Sequence, residues 1–186
     1  MTKKFHSCIV LDLDETLFHT VTSVSDDAKL KKGSDITFKM SDVYYYIKVR
    51  PHVEIFLKNI YENFDHVAIW TAAEKRYADK VVKKIFTSSQ YEKLLFFYSR
   101  KNCVVNKSGR YTKPLDKVFN NFKFLNQYNT VIVDNTDVSC ENKNNHTILI
   151  NDFVWNTKDD KELKKLMTRN KVESKRSINN FKNKLK

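Results

Sequence analysis

Two glycines and two prolines are the only strong chain breakers in 186 residues. Element boundaries must therefore be read from hydrophobic rhythm rather than from turn residues. Cysteine is scarce as well: Cys8, Cys103 and Cys140 are odd in number, scattered, and lack CxxC spacing. That argues against a disulfide framework or a thiolate zinc site and favours a reducing compartment. No apolar run approaches the roughly 20 residues a bilayer span needs, and no hydrophobic leader core follows "MTKKFHS". The expectation is a soluble intracellular protein of the cytoplasm or nucleus with no membrane partner.

Acids are in deficit: 34 Lys and Arg face 22 Asp and Glu, a net charge of +12. Such a balance points to an acidic partner, whether nucleic acid, a phosphorylated polypeptide or an anionic surface. Lys and Asn recur along the whole chain, a pattern that A/T-rich coding would produce without selection for a basic surface. A hydrophobic content of 41% with 30% charged residues is globular, and the length suits one domain. Residues 1–167 are expected to form it, with 168–186 a basic tail.

The apolar rhythm alternates between two periods. "FHSCIVLDL" is near-continuous, as in a strand buried on both faces. Thr20 to Ser34 reads as a polar loop, and "DITFKMSDVYYYIKV" as a hairpin flap turning near Ser41-Asp42. After Pro51, Val53, Phe56, Leu57, Ile60 and Tyr61 mark one helix face. "HVAIWT" is a strand and "AEKRYADKVVKKIF" a helix. "LLFFYSRKNCVVNKSGRYT" reads as short strands with a turn at Lys107-Ser108-Gly109. A helix follows from Pro114 through "LDKVFNNFKFL", then strands in "NTVIVDN" and "HTILI". Strands alternating with helices imply an α/β fold: a central, mainly parallel sheet with helices on both faces. The insertions at 20–49 and 86–112 are too small for a large cap.

In such sheets ligands bind at the carboxyl ends of the strands. Three strands end there in polar groups: Asp12 and Asp14, Thr71, and Asp134 with Asn135. Two carboxylates in one crevice repel, which raises the pKa of one and invites a cation. Mg²⁺ takes oxygen ligands, and Asp12, Asp134 and Asn135 suit it. An ionised Asp12 can be a nucleophile while Asp14 carries a proton as general acid. Thr71 and Lys113 can hold phosphoryl oxygens. Thr71 also suits a helix N-cap. His19 and the basic tail read as solvated, nucleic-acid contact through the tail being the lesser reading.

"DLDET", Thr71, Lys113 and "VDN" resemble, in order, the four motifs of the haloacid dehalogenase superfamily of phosphohydrolases. More narrowly, "DLDETL", "VRP", "WTAAEKRYAD", "GRYTK" and "VIVDN" resemble its carboxy-terminal-domain small phosphatase branch, the FCP1-homology or NLI-interacting-factor-like domain. The resemblance implies a Mg²⁺-dependent protein phosphatase acting on phosphoserine through an aspartyl-phosphate, with the RNA polymerase II tail as model substrate. It implies Asp12 as nucleophile, Asp14 as general acid/base, Thr16 as a brace, and Thr71 and Lys113 as phosphate ligands. It gives the metal to Asp12, the Asp14 carbonyl, Asp134 and Asn135. It also puts Phe18, Tyr46 and Tyr77 in a peptide groove, with Arg100 as a second anion contact. Four positions depart from the branch pattern: His52 where glycine is common, Thr136-Asp137 for Ser-Pro, and Pro114 where an acid is usual after Lys113. The rivals are a nucleotide, polynucleotide-end or small-molecule phosphatase and a catalytically weak binding scaffold on the same fold.

Overall fold

The computed structural model describes residues 6–24, 32–137 and 147–168. Strand β1, Cys8–Leu11, is wholly buried and lies at the centre of a parallel five-stranded sheet. Its neighbours are β5, His66–Trp70, and β9, Thr130–Asp134; β6, Leu94–Tyr98, and β10, Thr147–Leu149, form the edges. Both sides of β1 are occupied by strands that follow later in the chain. The order β10-β9-β1-β5-β6 therefore reverses direction at β1, which makes its carboxyl end a topological switch point.

Alternate residues of the central strands feed two separate cores, as the pleat requires. Ile9, Leu11, Val67, Ile69 and Val133 pack toward helix α1, Val53–Asn63, helix α2, Lys75–Ile85, and the helical residues 162–168. Cys8, Val10, Ala68, Trp70 and Ile132 pack on the opposite face against Leu115, Val118 and Leu125, near the short helix α4, Asp116–Asn121. Both faces of the sheet are thus covered by helix, which confirms the expected α/β layering and explains why the strands read as unbroken apolar runs. On α1 the residues Val53, Phe56, Leu57 and Ile60 are buried, at the spacing that the sequence marks as its inner face.

The flap is larger than its hairpin. Strands β3, Ile36–Met40, and β4, Val43–Val49, turn at Ser41-Asp42 as expected. A further strand, β2, Phe18–Thr22, pairs antiparallel with the other edge of β4 and completes a three-stranded sheet. Thr20 to Thr22 are therefore strand and not loop. Only Phe18 and Val21 of β2 are buried, so the polar residues between them mask the strand pattern. Most of the expected insertion at 86–112 is also reassigned: helix α3, Ser88–Glu92, leads into β6, an edge strand of the main sheet. What projects is a 3₁₀ turn, Arg100–Asn102, and the small hairpin of β7, Val104–Val105, and β8, Tyr111–Thr112. Its turn passes through Gly109 at φ 77°, a conformation that glycine adopts without steric cost. Helix α4 stops at Asn121, short of the expected Leu125; the chain turns there so that Leu125 can reach the lower core. The expected tail beyond residue 168 lies outside the described residues.

Candidate active site

Asp12 is the first residue past β1, and its amide still donates to the Val133 carbonyl at 3.0 Å, continuing the sheet. Leu13 then turns into the core at 0% exposure. A tight loop follows, closed by the Thr16 and Leu17 amides donating to the Leu13 carbonyl. Glu15 takes the strain of this turn at φ 57°, a left-handed conformation uncommon outside glycine. Its side chain faces His19, 3.1 Å away. His19 is thereby a partly buried strand residue and not a solvated loop.

Lys113 enters from the other side, directly after β8. Its ammonium donates to Asp12 Oδ1 at 2.5 Å and to Asp134 Oδ2 at 2.7 Å, and all three side chains are nearly or fully buried. Thr16, fully buried, faces Asp12 Oδ2 at 3.3 Å and Asn135 Oδ1 at 3.1 Å. One hydroxyl proton cannot satisfy both oxygens at once. The Asn135 amide is oriented by its own donation to Asp152 Oδ1 at 3.0 Å, and Asp134 Oδ1 accepts from the Thr136 amide. Asp12, Thr16, Lys113, Asp134 and Asn135 thus form one connected cluster at the carboxyl ends of β1 and β9.

Burial pushes the Asp12 carboxyl up to about 7, a rise that Lys113 opposes and Asp134 adds to. Burial likewise raises Asp14 to about 6, while a hydrogen bond from Tyr77 acts the other way. The Tyr77 hydroxyl donates to Asp14 Oδ1 at 2.8 Å and sits 2.7 Å from the Thr20 hydroxyl. Lys113 is pushed upward although burial disfavours its charge, because Asp12 and Asp134 outweigh that cost. Asp12 and Asp14, two residues apart, therefore have different partners: a cation for one, a neutral phenol for the other.

Thr71 is the first residue past β5, buried to 1% exposure. Its hydroxyl accepts from the Ala73 amide at 3.0 Å, so it organises the turn itself. The residue at the N-cap of α2 is Glu74. Of the residues expected in the groove, Phe18 is fully buried in the core and does not line a surface. Tyr77 is 9% exposed with its hydroxyl on Asp14, a holder of the acid rather than a groove wall. Tyr46 is half-buried and stacks on Tyr44. Arg100 is exposed beside the Thr71 turn, donating to the Ala72 carbonyl at 2.8 Å and to Glu74 at 3.3 Å.

Residues without an assigned role in the sequence reading support the loop from behind. Arg50, 1% exposed, donates to both carboxylate oxygens of Asp160 and to the carbonyls of Glu15, Thr16 and Asn151. Its signal was the Arg of "VRP", but the partner lies 110 residues away. Asp152 is the other, through Asn135.

Among the described residues no three His, Cys, Asp or Glu side chains gather as a metal site. A hard cation would need the Asn135 amide oxygen and a main-chain carbonyl beside Asp12 and Asp134. This all-oxygen set fits Mg²⁺, and the two oxygens competing for one Thr16 proton leave acceptor capacity to spare.

The family model for NLI interacting factor-like phosphatases matches residues 7–181. The chain belongs to that family. It is 31% identical over 174 residues to the CTD phosphatase-like protein 355R of invertebrate iridescent virus 3, covering 85% of this chain and 91% of that protein. It is 31% identical over 132 residues to the human carboxy-terminal domain RNA polymerase II polypeptide A small phosphatase 1, covering 71% of this chain and 46% of that one. The chain thus spans nearly all of the viral relative but less than half of the human one. The structure of Fcp1, an RNA polymerase II CTD phosphatase, superposes with a TM-score of 0.59 at 23% identity over 80% of this chain and 42% of that one. That likeness bears on the fold, and the family member shares the haloacid-dehalogenase-like sheet. No described helix is long and apolar enough to cross a membrane.

Proposed function

We propose that this family member is a Mg²⁺-dependent phosphoprotein phosphatase that removes phosphate from serine through an aspartyl-phosphate on Asp12. The observation that supports it most is the placement of Lys113 against both Asp12 and Asp134, beside the Thr16–Asn135 contact. Two carboxylates, an ammonium and the Asn135 amide oxygen meet there in one buried corner, a set suited to a nucleophile, a phosphate ligand and a metal site.

The Asp12 carboxylate attacks phosphorus, and the bond from phosphorus to the serine oxygen breaks as Asp14 gives that oxygen its proton. Water then attacks the aspartyl-phosphate while the Asp14 carboxylate accepts its proton, which regenerates Asp12 and releases phosphate. Burial, which pushes the Asp14 carboxyl upward, favours the protonated form that an acid needs, while the Lys113 ammonium opposes the same rise at Asp12 and favours its carboxylate. Lys113 and Thr71 hold the phosphoryl oxygens, and Thr16 keeps Asp12 in place. Asp12, the Asp14 carbonyl, Asp134 and Asn135 would hold Mg²⁺, which when bound would supply Lewis acidity and offset the repulsion between substrate and carboxylates. The small flap and hairpin leave room for a polymeric substrate, and the relatives named for the RNA polymerase II carboxy-terminal domain favour a phosphorylated peptide of that kind.

The test is hydrolysis of an aryl phosphate with and without Mg²⁺, in wild type and Asp12→Asn. Metal-dependent turnover that the substitution abolishes is the expected result. Turnover that persists in Asp12→Asn, or a wild type inert with Mg²⁺, overturns the reading.

A further inference from the structure

Between Glu92 and Asp116 the chain carries no acidic residue, while Lys93, Arg100, Lys101, Lys107, Arg110 and Lys113 all fall inside that interval. The fold gathers four of these cations on the 3₁₀ turn and the β7–β8 hairpin, where Arg100, Lys101, Lys107 and Arg110 are all exposed. Arg100 is paired with Glu74; among the described residues, no ion pair engages Lys101, Lys107 or Arg110. The same hairpin exposes three apolar side chains: Val104 at 46%, Val105 at 56% and Tyr111 at 39%. Strand β7 thus turns two adjacent aliphatic side chains to solvent beside the exposed cations, a contiguous apolar strip of the kind that partner surfaces use.

This surface adjoins the catalytic corner covalently and through hydrogen bonds. Thr112 ends β8 with its hydroxyl on the Val104 carbonyl, and the next residue is Lys113. On the near side, Arg100 donates its amide to the Ala73 carbonyl and its Nε to the Ala72 carbonyl, so the patch begins at the Thr71 turn. A chain with its phosphoserine in the corner has this hairpin within a few residues' reach, since an extended chain covers about 3.3 Å per residue.

We infer that, beyond the second anion contact already implied for Arg100, the exposed cations Lys101, Lys107 and Arg110 make the 3₁₀ turn and the β7–β8 hairpin a docking surface for acidic residues, phosphorylated ones included, that flank the scissile phosphoserine of a peptide substrate. The inference rests on the phosphoserine phosphatase reading and names its substrate class more narrowly. Charge complementarity selects an acidic strand, and the two valines give its apolar side chains a place to lie. The patch suits peptide better than nucleic acid: single-stranded nucleic acid needs open aromatic faces for stacking. The one exposed aromatic of the hairpin, Tyr111, already carries the Arg100 guanidinium 5.5 Å from its ring centre.

The experiment measures steady-state kinetics, with Mg²⁺ supplied, for wild type and Lys107→Glu/Arg110→Glu on three substrates: an aryl phosphate, a phosphoserine peptide with neutral flanks, and one with glutamate and phosphoserine flanks. Wild type should favour the acidic flanks through KM, by about ten-fold at low salt, and lose the preference at high salt. The double variant should abolish the preference while leaving kcat and the other two substrates unchanged, because neither residue touches the catalytic corner. An equal loss on both peptides, or a wild type blind to the flanks, overturns the inference. So does a variant that loses affinity for a single-stranded oligonucleotide with peptide kinetics intact. If wild type does not turn over the aryl phosphate, the phosphatase reading fails by itself. Fluorescence anisotropy of the labelled acidic peptide then decides the docking surface, which must still be weakened by the two glutamates.

Discussion

Lys113 and Arg50 are both cations sealed from solvent, at 2% and 1% exposure, and both bond the loop after β1, Lys113 at the Asp12 carboxylate and Arg50 at the Glu15 and Thr16 carbonyls. Arg50 spends all five of its N–H donors: two on Asp160 and one each on the carbonyls of Glu15, Thr16 and Asn151. Its planar fork fits a carboxylate and fixed carbonyls at the same time, and the Phe153 ring stacks 5.5 Å from it. Lys113 instead presents a compact charge to two carboxylates, Asp12 and Asp134, whose oxygens a metal would share. One cation builds the wall behind Thr16, and the other neutralises the reactive face. The choice of residue type follows from that division: a saturated, rigid geometry calls for arginine, and, on the proposed phosphatase reading, a site whose charge changes as phosphate arrives calls for a movable ammonium.

The sharpest way to separate them is Lys113→Met. Without the ammonium, Asp12 and Asp134 are left facing each other, and the phosphoryl oxygens lose a positive charge. Turnover with Mg²⁺ should fall by about 10³-fold, the scale for losing a preorganised charge at the reacting centre. In EDTA the variant should also lose about 3 kcal/mol of stability, since two buried carboxylates remain uncompensated. Mg²⁺ should restore most of that stability without restoring turnover. Urea denaturation with and without Mg²⁺ checks it; a stability loss indifferent to Mg²⁺ would show that Lys113 is structural in the same sense as Arg50.

Arg50→Lys should behave in the opposite way. Three donors cannot serve five acceptors, and Asp160 is left only partly paired in the core. A loss of about 3–5 kcal/mol is expected, equal in EDTA and in Mg²⁺, because none of the five acceptor oxygens belongs to the metal set. The folded fraction should keep more activity than Lys113→Met does. A rescue by Mg²⁺ would break the comparison.

The contrast also explains what the sequence made readable. The reactive face could be read because it is local in pattern: buried strands that end in "DLD", "WT" and "VDN" bring their polar residues to one sheet edge through topology alone. Lys113 came only with its motif, for a lysine after a hairpin has no periodicity of its own. The supporting wall could not be read. Arg50 and Asp160 are separated by 110 residues, and nothing in the spacing of either points to the other. The same limit hid β2, whose pairing with β4 leaves only two of five residues buried. It misplaced β6 as well, since an edge strand with a partly buried pattern resembles an insertion. Phe18 failed as a groove residue for a related reason: its neighbour to the acidic motif is sequential, while its side chain belongs to the core.

His52 gives the smallest test, on the backbone two residues past Arg50. The sequence departs here from the glycine common in its branch, and the structure puts His52 at φ 69°, the left-handed N-cap of α1, with no side-chain capping bond. A side chain in that conformation costs roughly 1–2 kcal/mol, whereas glycine adds about 0.5–1 kcal/mol of chain entropy to be lost on folding. His52→Gly should therefore raise stability by up to about 1 kcal/mol, seen as a small shift of the urea midpoint at unchanged slope. The Arg50 amide donates to the Leu17 carbonyl at 2.9 Å, and the Val53 amide to the Arg50 carbonyl, so this turn delivers Arg50 to the wall. If the strain at His52 is only local, His52→Gly stabilises Arg50→Lys by the same increment as wild type. A larger gain in the Arg50→Lys background would mean that the clasp itself holds the turn in its left-handed conformation.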